Sequence, residues 1–598
     1  MNRSTTEIPK DMFKSLKTIS LSLAALLLGA SSACGQQSDS YAHKVNTLIG
    51  TRGVGLTSGY LYPGATYPFG MVQFTPTYFA KRGGFVINQL SGGGCSHMGN
   101  FPTFPVTGKL DSSPENILDY RVGICGEQGH AGYYEATVQE AVKARLTVTE
   151  RTGMARYEYP AGEAFGTVII GAGIAATPIE QAAVVITGPN SCEGYAEGGN
   201  FCGVRTPYKV YFVAEFDARA VTTGIWKEDR LTPGGRFAEG SESGVYFTFD
   251  LTENRNVQYK IGVSYVSVEN ARANLAAENA GWDFAAVQHA AERRWNDYLG
   301  LIEAEGTNPD RTTQFYTHLY RVLIHPNVCS DVNGEYMGAD FRVHRSRSKQ
   351  YTSFSNWDTY RTQIQLLSML APDVASDVVL SHQHFAEQSG GAFPRWVMAN
   401  IETGIMQGDP TPILIANAWA FGAQDYDPFP LFQIMRRNAE VPGAKSQDVE
   451  ERPGLKQYLE KGYYNASEQL EYTSSDFSIG QFALHACGDE FASWRYFHYA
   501  RSWKNLYNPQ TGWLQSRNAD GSWKPLGEDW RESTYKNYFW MVPYDLAGLI
   551  ETMGGKAAAE KRLDEFFVRL DAGYNDPWFA SGNEPSFHIP VSYTHLRA

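Results

Sequence analysis

Along the first half of the chain, hydrophobic and polar positions alternate with period two. The clearest runs are Tyr208-Lys-Val-Tyr-Phe-Val-Ala-Glu-Phe216, Gly244-Val-Tyr-Phe-Thr-Phe-Asp250 and Val257-Gln-Tyr-Lys-Ile-Gly-Val-Ser-Tyr-Val266. Gly, Asn and Pro turns separate them, which predicts an antiparallel β-sandwich over residues 41–270. The period then changes. Residues 271–299 read as one continuous helix former, the core of a linker spanning 271–305. Beyond it come amphipathic helices, over residues 306–590. Trp357, Tyr360, Ile364 and Leu367 share one face, with Asn356 available as the cap and Pro372 just past the end. The pattern predicts further helices over 312–324, 373–386, 411–422, 466–487, 489–501, 534–552 and 555–570. Helices alternating with long polar loops suit a toroid whose loops gather at one mouth, although periodicity alone leaves a simple bundle open.

Composition narrows the function classes. With 598 residues and 43% hydrophobic positions, the chain can bury a large core and is not globally disordered. Lys plus Arg number 51 against 64 Asp plus Glu, a net charge of −13 without a basic run beyond the N-terminus, so nucleic acid is not the expected partner. The 35 Tyr, 32 Phe and 13 Trp suit aromatic platforms over a polar ligand such as a sugar, though a bulky core gives the same count.

The N-terminus reads as an address. Lys10, Lys14 and Lys17 precede the apolar run 19–28, small residues and Cys34, so residues 1–40 are expected to be an export signal. That run is short for a membrane span, and nothing later in the chain is long and apolar enough. Cys34 is a candidate lipid-anchor site, with ordinary signal-peptidase cleavage as the alternative. The expected location is the periplasm or cell surface of a Gram-negative bacterium. Six cysteines follow: Cys95, Cys125, Cys192, Cys202, Cys329 and Cys487. None forms a Cys-x-x-Cys pair, so a zinc site of that kind is not indicated. Cys192 and Cys202 bracket a Gly-rich stretch and are the candidate disulfide for an exported protein, with free buried thiols as the ordinary reading of the others.

Five loops of the helical half carry the candidate chemistry: 355–361, 400–404, 406–409, 528–532 and 582–586. One loop carboxylate is ordinarily a cap or a solvated surface group. Together, with Trp357 and Trp530 among them, they fit an aromatic-walled sugar site worked by acid and base carboxylates.

Several of these segments carry a family resemblance. In the N-terminal half they are Val45-Asn-Thr-Leu-Ile-Gly-Thr51, Tyr62-Pro-Gly-Ala-Thr-Tyr-Pro-Phe-Gly-Met-Val-Gln73 and Leu90-Ser-Gly-Gly-Gly-Cys95. In the helical half they are Trp357-Asp-Thr-Tyr-Arg361, Leu470-Glu-Tyr472, Ser502-Trp-Lys-Asn-Leu-Tyr-Asn-Pro-Gln-Thr-Gly512, Met541-Val-Pro-Tyr-Asp545 and Gly582-Asn-Glu-Pro-Ser586. In this order they resemble glycoside hydrolase family 92, the calcium-dependent exo-acting α-mannosidases. The resemblance implies a β-sandwich joined by helices to an (α/α)6 barrel, an inverting mechanism, and a calcium ion that helps distort the terminal mannose. It assigns Glu532 as the general acid, although Glu532-Ser-Thr replaces the family's Glu-Gly-Asn. Trp357, Asp358, Asn583 and Glu584 would hold the terminal mannose, with Gly93 and Cys95 on the loop that closes over it. Glu584 and Asn537 would face the calcium. Met406-Gln-Gly-Asp-Pro410 departs from the family's Met-x-Gly-x-His on the leaving-group side, which leaves linkage open.

Two departures concern the C-terminal end. The family's base lies in a Gly-Asn-x-Asp-x-Gly-Gln segment beyond Gly-Asn-Glu-Pro, and this sequence contains none. Residues 591–598 (Val-Ser-Tyr-Thr-His-Leu-Arg-Ala) fit neither the family pattern nor a helix C-terminus, so a foreign tail on an incomplete barrel is expected. Besides an exported α-mannosidase acting on N-glycans or mannan, two readings stay open: a non-catalytic mannose-binding lipoprotein, and another (α/α)6 glycosidase such as a glucosidase or trehalase.

Overall fold

Residues 40–51, 59–76, 84–114, 123–569 and 572–597 are described in the computed structural model of the protein. The leader and Cys34 lie outside them. Strand formation follows the alternation. Val204–Phe216 pairs antiparallel with Ser191–Phe201 on one side and Asn256–Ser264 on the other, placing Phe212 opposite Val263. These belong to a nine-stranded antiparallel sheet that runs from Phe237–Glu239 at one edge to Ile124–His130 at the other. An eight-stranded sheet faces it, with Phe165–Gly171 and Ser243–Asp250 near its middle. The filling between them is aromatic. Phe216 of one sheet meets Phe247 and Phe249 of the other, at ring separations of 4.8 and 5.1 Å. Ser243–Asp250 is buried on both faces except at Asp250, so it is a central strand.

The linker is two helices rather than one. Val268–Glu278 ends at Asn279, and Phe284–Leu299 restarts after Gly281, with the Asp283 carboxylate capping Ala286 N–H at 3.0 Å. Pro309–Leu323 follows, and it buries Tyr316, Leu319, Tyr320 and Leu323, one apolar stripe.

In the helical half, Ala466–His485 is buried almost all round, the mark of an inner helix. It packs against Thr411–Ala420, Pro428–Glu440 and Glu490–Ala500. Three boundary expectations need correcting. The amphipathic run from Trp357 divides into Asn356–Thr359 and Gln363–Leu370, because Thr362 takes φ 116° between them. Asn356 is not a cap: its buried amide donates to Thr411 Oγ1 at 2.7 Å and pairs with His382. Pro372 stands just past the end of that second helix, as expected, and also opens the next one, Pro372–Ser389, as proline does at a first helical position. Similarly, the 534–552 region breaks at Pro543 into Tyr535–Tyr538 and Leu546–Thr552. At the C-terminal side, Ile589–Arg597 is helical, with Tyr593 stacked on Phe567 at 5.2 Å. Among the described residues, no helix is long and apolar enough to cross a membrane.

Sandwich and helical domain share buried surface, and this sharing positions the site. Trp396, Met398 and Ala399, from a loop of the helical domain, join the sandwich's hydrophobic core. Phe201 of the long hairpin stacks on Trp396 at 4.4 Å.

Candidate active site

Asp358 sits on the short helix Asn356–Thr359, and its neighbours fix that helix from below. The Trp357 indole N–H donates to Glu471 Oε1 at 2.9 Å, Tyr360 O–H to Oε2 at 3.0 Å and the Arg361 guanidinium to Oε1 at 2.7 Å. Glu471 comes from the inner helix Ala466–His485 and is 1% exposed. Gly408 lies against it with φ 79°; a Cβ there would stand 2.5 Å from the Glu471 Cβ, so only glycine fits. Trp357 is wholly buried, with its indole N–H donated to Glu471.

Glu532 and Glu584 come from different loops held by two buried amides. Asn583 donates from Nδ2 to the Glu532 carbonyl and accepts the Glu584 N–H at 3.0 Å. Asn537 Oδ1 accepts from Ser586 O–H at 2.7 Å and Ala580 N–H at 3.4 Å, and its Nδ2 donates to the Trp578 carbonyl at 3.2 Å. Both amides are buried and brace the 578–586 loop against the 532–537 segment. Glu532 itself is exposed, in a left-handed backbone conformation (φ 49°) that turns it out of the chain's path.

Electrostatics tie the three carboxyls together. Burial raises Asp358 well above the usual carboxylate value, and Glu584 and Glu532 add to this; Arg361 and a hydrogen bond from Trp396 oppose it. Burial likewise raises Glu584, with Glu532 adding its charge. Desolvation also raises Glu532, against the pull of Arg531. Three carboxyls within mutual electrostatic reach, all shifted towards the neutral form, mark a site short of positive charge.

From the sandwich side comes the loop around Gly93 and Cys95. His97 organises it: Nε2 accepts the Leu90 N–H at 2.8 Å and Nδ1 donates to the Cys95 carbonyl at 2.7 Å. Burial pushes this imidazole down to about 4, so it is neutral at pH 7. A Cβ on Gly93 would stand 2.9 Å from the His97 ring. Cys95 is bonded to Cys202, with Cα atoms 5.3 Å apart. This corrects the expected Cys192–Cys202 pair. Cys192 and Cys202 stand at opposite ends of the strand Ser191–Phe201, roughly 33 Å apart at strand rise, and Cys192 is a buried thiol.

Two of the five polar loops have structural duties. Glu402 accepts N–H groups of Arg395 and Gly404, each at 2.7 Å. Asp409 pairs with Arg452 at 2.9 Å, and Arg452 also holds Asp476 at 2.8 Å, all buried. Of the two tryptophans in these loops, Trp357 is buried and Trp530 half-buried.

Residues 44–264 match the glycosyl hydrolase family 92 N-terminal domain, and residues 270–598 match the family 92 catalytic domain. The chain belongs to glycosyl hydrolase family 92. A family GH92 α-mannosidase from Bacteroides thetaiotaomicron shares its fold with TM-score 0.84 and 25% identity, covering 94% of this chain and 78% of that one. The family GH92 inverting mannosidase of the same organism gives TM-score 0.79 at 25% identity, covering 89% and 75%. A curated relative, an uncharacterized secreted glycosidase of Arthroderma benhamiae, is 24% identical over 96% of this chain and 79% of its own length. The family 92 chain is thus a glycosidase with an N-terminal β-sandwich and a helical C-terminal domain.

Other residues of this glycosidase join the site without having been singled out from the sequence. Tyr574 lies within electrostatic reach of Glu532, Glu584, Asp358 and Tyr60, and burial with that company raises its hydroxyl to about 12. Tyr60 accepts the Gly92 N–H on its carbonyl at 3.1 Å, which brings the sandwich loop to the same mouth. Tyr574 and Tyr60 flank segments whose motifs end short of them. Glu471 stood inside a quoted motif, but nothing in Leu-Glu-Tyr says that its carboxylate faces a buried arginine. A cavity of about 750 Å³ opens behind Glu584 and Arg361, with Phe477, Trp540, Met541 and Ile550 on its apolar walls.

Proposed function

We propose that the protein removes terminal α-linked mannose from glycans such as N-glycans or mannan, by single displacement with inversion. The supporting observation is the gathering of Asp358, Glu532 and Glu584, all raised in pKa, at one mouth of a family 92 fold. A raised carboxyl keeps its proton to higher pH, as a general acid needs, and Glu532 is the accessible one. It hands its proton to the glycosidic oxygen as the bond to C1 breaks. An inverting pair also needs a second carboxylate, about 6.5–9.5 Å away, to activate water; Asp358 and Glu584 are assigned to holding the sugar, not to that task. Asn583 and Asn537 keep the 532 and 584 loops in step, and the loop with Gly93 and Cys95 closes over the sugar.

The residues fit calcium. Its donors would be carboxylate oxygens, with Glu584 as the assigned ligand, and the charge of Asp358 and Glu584 is only partly offset by Arg361, whose guanidinium is committed to Glu471. When bound, calcium supplies a grip on vicinal mannose hydroxyls that favours a flattened ring. Asn537 stands behind these carboxyls as a brace. Export to the periplasm or cell surface, by way of the 1–40 leader and with Cys34 as the lipid-anchor candidate, completes the reading.

A panel of α-linked mannobioses, assayed with and without EDTA, tests it. Release of mannose that EDTA abolishes and added Ca2+ restores is the expected outcome. Calcium-dependent mannose binding without turnover would favour a non-catalytic lectin-like role, and EDTA-insensitive glucose release would overturn the mannosidase reading.

A further inference from the structure

At the edge of the nine-stranded sheet, three elements bring two imidazoles and a carboxylate together. His43 lies on the helix Tyr41–Lys44, His130 ends the strand Ile124–His130, and Glu292 sits on the linker helix Phe284–Leu299. His130 Nε2 is 2.8 Å from Glu292 Oε1, and His43 Nε2 is 3.6 Å from the same oxygen. One potential ligand atom from each lies within 4.8 Å of the other two. The imidazole rings stack at 4.2 Å.

An ordinary His–Glu hydrogen bond explains the first contact but not why a second imidazole is held against the same carboxylate. A tetrahedral ion with bonds of about 2.0–2.2 Å sets its ligand atoms roughly 3.3 Å apart. The observed 2.8 and 3.6 Å bracket that spacing. Gln288 donates to Glu292 Oε1 at 2.8 Å and so orients the carboxylate from behind, as outer-shell groups do in metal sites. Glu292 and His130 are largely covered, with side chains 11% and 17% exposed, while His43 at 55% leaves an approach from solvent. We propose that His43, His130 and Glu292 form a binding site for Zn2+, with a fourth position open to water. Imidazole nitrogens select such a borderline ion over Ca2+ or Mg2+. Its effect is structural: one ion ties the first described helix to the sandwich edge and to the linker helix. The site is independent of the mannosidase reading.

Tag-free full-length protein, stripped with a chelating resin, is titrated with ZnCl2 at pH 7.5 in a calorimeter, and thermal unfolding is followed in parallel. One Zn2+ per chain with micromolar affinity and a raised Tm is the expected result. His130→Ala and Glu292→Gln should each weaken binding by roughly 10-fold or more. His43→Ala, at an exposed position, controls for folding: it should lower Zn2+ affinity while leaving the metal-free Tm and glycosidase activity unchanged. No saturable binding, affinity unaffected by His43→Ala, or equal displacement by Ca2+ would overturn the proposal.

Discussion

Replacing Glu532 by glutamine is expected to lower kcat on an α-mannobiose by about 10²- to 10⁴-fold, the usual contribution of a general acid. On an aryl mannoside with an activated leaving group the loss should be far smaller, since that oxygen departs without a proton. The pH profile carries the same information. Glu532 is raised above the usual glutamate value by desolvation, so the active, protonated form persists to higher pH than an ordinary carboxyl allows. Wild-type kcat/KM should fall on its alkaline side as this proton is lost, and that limb should vanish in Glu532→Gln. Steady-state assays on both substrates across pH check the prediction. Equal losses on the two substrates would remove Glu532 from the role.

Glu471→Ala should cost more stability than any substitution at the exposed mouth, about 3–5 kcal/mol. The carboxylate neutralises Arg361 and satisfies Trp357 and Tyr360, all of them buried. Its loss leaves a guanidinium buried among aromatic rings, lying 4.7 Å from the Trp357 ring centre and 4.5 Å from that of Tyr360. Glu528→Ala, at an exposed position of the mouth loop, is the control and should stay within about 0.5 kcal/mol. Denaturant unfolding of the two variants beside wild type makes the comparison. Activity should drop in Glu471→Ala as well, because Asp358 rides on the helix that Glu471 holds.

The fold was largely legible because two periodicities carry it. Val204–Phe216 alternates because much of its length has one face in the core, and Pro309–Leu323 shows its stripe for the same reason. Where a helix is buried almost all round, as in Ala466–His485, period says less and length has to decide. Breaks were missed where one residue decides them: Thr362 with its positive φ, Gly281 within an alanine-rich run, and Pro543. The site was legible as carboxylates in loops but not as partnerships. Local sequence could not show that Asp409 faces Arg452, or that Cys95 rather than Cys192 meets Cys202 across 107 residues. It also could not show that the Trp357 N–H serves a buried glutamate. Such pairings are made by tertiary packing, as the hydrogen bonds of Trp357, Asn537 and Asn583 illustrate.

The most direct test of the central claim is a crystal structure of the protein with a mannose-configured transition-state mimic and calcium. The account predicts the hexose at the mouth, its hydroxyls against Asp358 and Glu584, and the Glu532 carboxyl within hydrogen-bond reach of the atom that stands in for the glycosidic oxygen. A hexose bound instead in the apolar cavity behind Arg361, or at the mouth with Glu532 turned away to solvent, would contradict it.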